Sequence, residues 1–160
     1  RRYLYNLYPK LWAEATRQEK PLAVLLLDLD LFKQVNDAHG HLVGDEVLRH
    51  FSQILRSCCR VSEFLVRLGG EEFLVLTTGD IEGAWVQAEK IRAGLESAPL
   101  RHGNISLSVT VSVGVAEARP EDGVDGLGAL LTRADQALYQ AKQSGRNRVV
   151  VHNDRLLRSA

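Results

Sequence analysis

The sequence predicts an α+β fold around a β-α-β-β-α-β core, and three observations carry the prediction. Residues 22–27 read Leu-Ala-Val-Leu-Leu-Leu, a continuous apolar run of the kind a strand buried on both faces requires. Residues 64–68 and 73–76 are apolar segments separated by Gly69-Gly70-Glu71-Glu72, which is hairpin-turn chemistry. Ile105, Leu107, Val109, Val111, Val113 and Val115 alternate with small or polar residues, the period of a half-buried antiparallel strand.

The remaining elements fall between these. Residues 3–17 place Leu4, Leu7, Tyr8, Leu11, Trp12 and Ala15 at helical spacing, with Pro9 predicting a disturbed start. Pro21 is tolerated at the entry to the central strand, 22–29. Residues 32–37 read as a short helical turn, 40–44 as a glycine-punctuated loop, and 45–59 as a helix presenting Val47, Leu48, Phe51, Ile54 and Leu55. After the 64–77 hairpin, residues 81–97 form an amphipathic helix with Trp85, Ala88, Ile91, Arg92 and Leu95 on one face, ended by Pro99. A last helix over 127–143 and a short strand over 149–151 complete a ferredoxin-like plan with an added helix and strand. That plan serves many unrelated functions, so activity must be read from the site.

At 160 residues, 45% hydrophobic and free of low-complexity tracts, the chain is expected to form one domain over 1–160. Its formal net charge is zero and its Lys and Arg are scattered, which argues against a nucleic-acid partner and against direct membrane contact. The longest apolar run is far below the roughly 20 residues that span a bilayer, and no signal-peptide pattern opens the chain. Cys58 and Cys59 are adjacent on a predicted helix, where side chains diverge by about 100° and a disulfide fits poorly, so a reducing, cytoplasmic location is expected. The chain has no methionine and begins inside a helical pattern, which suggests a domain cut from a longer protein with an upstream regulatory domain.

Acidic residues mark the ends of the predicted strands. Asp28 and Asp30 lie two apart at the close of the first strand, with the Leu29 carbonyl between them as a third oxygen donor. Taken alone they read first as strand-ending and helix-capping residues. Glu71 and Glu72 on the glycine turn shift the balance, because two acidic groups on neighbouring strands converge on one hard divalent ion. Lys33 is placed to meet a phosphate oxygen. Asn36 and Asp45 offer the amide and carboxylate that read a guanine edge, whose N1–H and 2-amino group one carboxylate accepts together. Adenine presents an acceptor there and would leave Asp45 unpaired; the competing role for Asp45 is helix N-cap, with His41 a loop residue. Lys142 and Arg146, four apart across a helix end at Gly145, could both reach a triphosphate, or could simply complement the helix dipole.

Taken together, Asp-Leu-Asp-Leu-Phe-Lys-Gln-Val-Asn-Asp (28–37), Gly-His-Leu-Val-Gly-Asp (40–45), Gly-Gly-Glu-Glu-Phe (69–73), Ser-Val-Gly-Val (112–115) and the run from Ala134-Asp135-Gln136-Ala137-Leu138-Tyr139 to Gly145-Arg146-Asn147 resemble the GGDEF family of diguanylate cyclases, over about 22–150. The resemblance implies a nucleotidyl-cyclase or polymerase-palm version of the fold. It also implies a reaction that joins two GTP molecules into cyclic di-GMP and releases two pyrophosphates. By position, Asp28, the Leu29 carbonyl and Glu71 would hold magnesium or manganese, with Glu72 supporting a second ion. Asn36, His41 and Asp45 would hold guanine and ribose, and Lys33, Lys142 and Arg146 the phosphates. Glu71 would accept the proton of the attacking 3′-hydroxyl, so Glu71, Glu72 and Lys33 form the implied catalytic set. Because one site holds one GTP, the symmetric product implies two domains facing each other about a two-fold axis, and a lone domain is expected to be nearly inactive.

Two departures bear on activity. The family usually opens with Leu-Thr-Gly-Leu-x-Asn-Arg-Arg, of which Arg1-Arg2 look like the end, so weakened nucleotide affinity is expected. Many members carry Arg-x-x-Asp ahead of the signature to bind product and shut the enzyme down. Here the segment is Arg60-Val61-Ser62-Glu63, with the Glu63 charge one methylene further out, so this candidate product-inhibition site is expected to be impaired. The rival to an active cyclase is a silent GTP- or cyclic di-GMP-sensing module, which usually shows a damaged signature; this signature is intact. A cyclase making a mixed guanine and adenine product is disfavoured by Asp45.

Overall fold

The computed structural model describes residues 1–153, in the order α1 (Arg2–Arg17), β1 (Leu22–Leu29), α2 (Phe32–His39), α3 (His41–Cys58), β2 (Phe64–Gly69), β3 (Glu72–Thr78), α4 (Ile81–Glu96), β4 (Leu100–His102), β5 (Ile105–Leu107), β6 (Val111–Glu117), α5 (Leu127–Gln143) and β7 (Val149–Val151), with a 3₁₀ turn at Pro120–Asp122. The main sheet has the order β2-β3-β1-β6-β7. β1 pairs antiparallel with both β3 and β6, and β7 adds in parallel to the outside of β6. Without β7, this is the β-α-β-β-α-β arrangement predicted.

All eight residues of β1 are buried, because helices cover both faces of the sheet. On one face, Ala23, Leu25, Leu27 and Leu29 pack with Phe51 and Leu55 of α3 and Ala88, Ile91 and Leu95 of α4. On the other, Leu22, Val24 and Leu26 pack with Leu4 and Tyr8 of α1 and Leu130, Ala134 and Leu138 of α5. α1 runs through Pro9 without a break. The carbonyl that Pro9 deprives of a donor belongs to Tyr5, which is 49% exposed, so water can satisfy it.

Three local expectations are corrected. The single strand read over 105–115 is two elements: β5 turns back onto β4 in a separate hairpin about Gly103, whose φ is +58°, and β6 starts at Val111. β6 is also buried on both faces rather than half-buried. Its small residues are there because α5 lies directly over them: a Cβ at Gly114 would sit 2.1 Å from the Ala134 carbonyl oxygen and 2.4 Å from the Leu138 amide nitrogen. The loop read over 40–44 is the first turn of α3. Gly44 is a packing residue, since a Cβ there would lie 1.8 Å from Asn36 Oδ1. Trp85, assigned to the buried face of α4, is 44% exposed; Ala84 takes the inward position.

Candidate active site

The antiparallel register of β1 with β3 sets Asp28 directly opposite Glu72. One residue on, the Leu29 amide donates to the Glu71 carbonyl at 3.2 Å, so the end of the central strand and the hairpin tip are fixed to each other by main chain. The tip needs its glycines: Gly69 and Gly70 have φ of +148° and +48°. Arg67 then pins it, its guanidinium donating through Nε (3.1 Å) and Nη2 (2.8 Å) to the Gly70 carbonyl. The sequence reading passed over Arg67; a long cation within an apolar strand, three residues before the turn, is the signal that was there.

Asp28 is 6% exposed, and its carboxylate accepts from Lys142 Nζ at 2.7 Å. Burial holds the Asp28 carboxyl above its ordinary range; Lys142 opposes this through its hydrogen bond and charge, while the charges of Glu71 and Glu72 reinforce it. Three carboxylates against one ammonium leave this corner short of positive charge. The donor set of carboxylates beside main-chain oxygen suits a hard divalent cation. Asp30 has a different role from its neighbour. β1 ends at Leu29, Leu31 adopts a left-handed φ of +56°, and the Asp30 carboxylate accepts from Ser112 Oγ (2.6 Å), Thr110 Oγ1 (2.7 Å) and the Asn147 amide (3.0 Å). It clamps neighbouring segments together, and neither aspartate caps α2.

α2 begins three residues after the Leu29 amide and delivers Lys33, exposed, and Asn36, half-buried. The close approach that Gly44 permits brings Asn36 against α3, whose first turns carry His41 and Asp45, both exposed. Gly40, with φ of +88°, occupies the N-cap position of α3, so Asp45 is not that helix's cap. Asn36 and Asp45 thus sit at one helix junction.

The last turn of α5 carries Lys142, and the chain leaves the helix by a Schellman turn. The Arg146 amide donates to the Ala141 carbonyl at 3.0 Å and the Gly145 amide to the Lys142 carbonyl at 3.4 Å. Gly145, Arg146 and Asn147 have φ of +118°, +64° and +47° in succession. Left-handed backbone at a non-glycine residue costs on the order of 1 to 3 kcal/mol, and it persists only where neighbouring contacts hold it. Here the Asp30 carboxylate holds the Asn147 amide, leaving the Arg146 side chain exposed at the outside of the turn.

Arg60 and Glu63 lie away from this corner, between α3 and β2. The Glu63 carboxylate accepts from the backbone amide of Arg60 (3.3 Å), from Thr77 Oγ1 (3.2 Å) and from Gln87 Nε2 (2.5 Å). The two residues therefore meet through Arg60's main chain rather than as a side-chain ion pair. The Arg60 side chain lines a groove of about 640 Å³ together with Arg56 and Arg67.

Residues 1–148 match the model of the family described as diguanylate cyclase, GGDEF domain. The chain belongs to the GGDEF-domain family of diguanylate cyclases. The match takes in α1, ahead of the point at which the motif resemblance begins. This GGDEF domain is 43% identical over 153 residues to the response regulator PleD of Caulobacter vibrioides, covering 94% of this chain and 33% of that protein. It therefore spans about a third of the length of that relative. Among solved structures, the GGDEF domain of DgcB from Caulobacter crescentus in complex with c-di-GMP superposes with a TM-score of 0.87 at 32% identity, covering 95% of this chain and 90% of the other. The active GGEEF domain of a diguanylate cyclase from Vibrio cholerae gives 0.86 at 34%, covering 96% and 97%.

Proposed function

We propose that this GGDEF domain is the catalytic part of a cytoplasmic diguanylate cyclase, condensing two GTP into cyclic di-GMP and two pyrophosphates across a two-fold pair of domains. The observation that carries the reading is the pairing of Asp28 with Glu72 beside the Glu71 tip, a buried carboxylate bonded to Lys142 and facing the charges of two more. Asp28, the Leu29 carbonyl, Glu71 and Glu72 would hold magnesium or manganese, which when bound supplies positive charge for the phosphates and lowers the pKa of the attacking hydroxyl. Among the described residues no three His, Cys, Asp or Glu side chains close around one point.

The side chains then divide the work. Asp45 and Asn36 select guanine, and His41 lies beside them against the nucleoside. Lys33, Lys142 and Arg146 bind the triphosphate and neutralise the charge that builds on the departing pyrophosphate. Glu71 takes the proton from the 3′-hydroxyl of the GTP held by the opposing domain; that oxygen bonds to the α-phosphorus as the bond to pyrophosphate breaks. The same step with the roles of the two nucleotides exchanged closes the ring.

Incubating the domain at high concentration with GTP and Mg²⁺ and following nucleotides by chromatography and mass tests the reading. One cyclic di-GMP per two pyrophosphates is expected, with specific activity rising with protein concentration. Glu71→Gln should abolish turnover and leave the melting curve unchanged; wild-type turnover in that variant removes Glu71 from the mechanism. Silence even from a domain fused to a dimerising helix would turn the assignment toward nucleotide sensing. The same outcome would leave an upstream regulatory domain without a catalytic output to control.

A further inference from the structure

We propose that Arg92 and Asn147 form a positioning relay that runs from α4 to the nucleotide-binding turn and fixes where Arg146 points. The inference rests on the reading above that Arg146 meets the triphosphate. Arg92 is on the C-terminal half of α4, far along the chain from any residue of the candidate site, yet its side chain is only 17% exposed. Its guanidinium donates to Glu89 through Nε (2.9 Å) and Nη2 (3.2 Å), and through Nη1 to Glu96 (3.2 Å) and to Asn147 Oδ1 (3.0 Å). Glu89 and Glu96 hold the fork in one orientation, and Nη1 reaches Asn147 as well as Glu96.

Asn147 is gripped from three sides: Oδ1 by Arg92, Nδ2 donating to Glu96, and the backbone amide donating to the buried Asp30 carboxylate. It is also the last of the three consecutive positive-φ residues. Asparagine tolerates that conformation; arginine, at 146, does so poorly. A strained residue persists only where neighbouring contacts hold it: the Arg146 amide is bonded to the Ala141 carbonyl (3.0 Å), the Arg146 carbonyl accepts from Arg148 Nε (3.1 Å), and Asn147 anchors the chain on the far side. The chain of bonds continues through Asp30 to Thr110 and Ser112 and lies two residues from Asp28. A short network therefore connects the C-terminal half of α4 to the turn that carries Arg146. Arg92 touches no reacting atom and acts through Asn147, so its part is positioning.

The test measures the dissociation constant of α,β-methylene GTP with Mg²⁺ for Arg146→Ala, Asn147→Gly and Arg92→Gln, and for each of the last two combined with Arg146→Ala, alongside melting curves. Asn147→Gly keeps the positive φ accessible while removing the side-chain grip, so a purely conformational role for Asn147 predicts wild-type binding. The relay predicts that each single variant binds about tenfold more weakly, the loss of one charge-assisted hydrogen bond. It also predicts that the double variants bind no more weakly than Arg146→Ala alone. If Arg146→Ala weakens binding but the other two bind as wild type, or their losses add to it, the relay is wrong and the phosphate role of Arg146 stands. If Arg146→Ala binds as wild type, the phosphate reading fails and the relay with it. Arg92→Gln, which leaves the positive-φ turn itself unaltered, keeps the test available should Asn147→Gly fold poorly.

Discussion

Lys142 Nζ sits 2.7 Å from Asp28 Oδ2, joining the last turn of α5 to the end of the central strand. The Asp28 side chain is 9% exposed and that of Lys142 37%, so a nearly buried carboxylate has a half-open partner. The sequence reading placed Lys142 on phosphate and Asp28 on metal. The structure shows that Lys142 offsets the charge of Asp28, while Glu71 and Glu72 leave the corner net acidic.

Lys142→Ala should therefore leave Asp28 buried and unpaired. Because the lysine is partly exposed and water can enter in its place, the expected cost is about 1 kcal/mol rather than the full penalty of a broken buried pair. That corresponds to a melting midpoint lower by about 2 to 4 °C in a domain of this size. Asp28→Asn in the same background should return the midpoint to the wild-type value, since it removes the uncompensated charge. A double variant no more stable than Lys142→Ala would refute this account.

How much of this was legible in the sequence depended on whether a residue's job was written in its own type. β1 could be read because burial on both faces leaves an unbroken apolar run, and Asp28, Glu71 and Glu72 because carboxylates at strand ends are conspicuous. Gly44 and Gly114 misled for a common reason: a glycine that makes room for a neighbouring element is indistinguishable, in sequence, from one that makes a turn. Hence α3 was started late and β6 was taken as half-buried, when its small residues were accommodating α5. Trp85 was placed inside by helical period, but in α4 the buried stripe passes through Ala84. Arg67 carried a local signal, a cation three residues before its carbonyl partner at the hairpin tip, whereas the Arg92–Asn147 contact spans 55 residues and is set by the fold and not by local pattern.

Asp45→Asn should loosen guanine recognition. The carboxylate accepts two guanine donors, and an amide can accept at only one of its two atoms. GTP affinity is expected to fall about tenfold, from the loss of roughly 1.4 kcal/mol, while ATP affinity changes little or improves. Competition binding with the two nucleotides reads the ratio. An unchanged preference for GTP would move guanine reading to Asn36 or elsewhere.

Glu63 has three internal donors and little acceptor capacity left for a ligand. Added cyclic di-GMP is therefore expected to have little effect on initial rate, and Arg60→Ala to leave progress curves unchanged. Gln87→Ala, which removes one of the two donors on Glu63 Oε2 and leaves the Arg60 amide on it, should make the domain more sensitive to product, not less. Strong inhibition of the wild type that Arg60→Ala relieves would show that the internal bonds yield to the ligand.

Asp122 and Arg133 provide a pH-dependent part of the stability outside the candidate site. The Arg133 guanidinium forks onto Asp122, Nη1 to Oδ1 at 3.1 Å and Nη2 to Oδ2 at 2.5 Å, and also donates from Nη2 to the Glu117 carbonyl at 3.1 Å. Burial alone would push the Asp122 carboxyl up; the Arg133 hydrogen bonds and charge, with the Arg119 backbone amide, outweigh it and hold the carboxyl below its ordinary range. A carboxyl depressed in the folded state contributes stability that is fully present above its unfolded pKa of about 3.9 and is lost as pH falls through the lower folded value. Urea unfolding from pH 7 down to pH 3 should therefore show a loss on the acid side that shrinks in Asp122→Asn. That variant should already be less stable at pH 7, because it leaves the Arg133 side chain, 11% exposed, without its counter-charge, at a cost on the order of 3 kcal/mol. The two effects separate the pair from the other carboxylates: a variant that lost stability equally at every pH would show that Asp122 acts through packing, and an undiminished acid limb would assign that limb to another group.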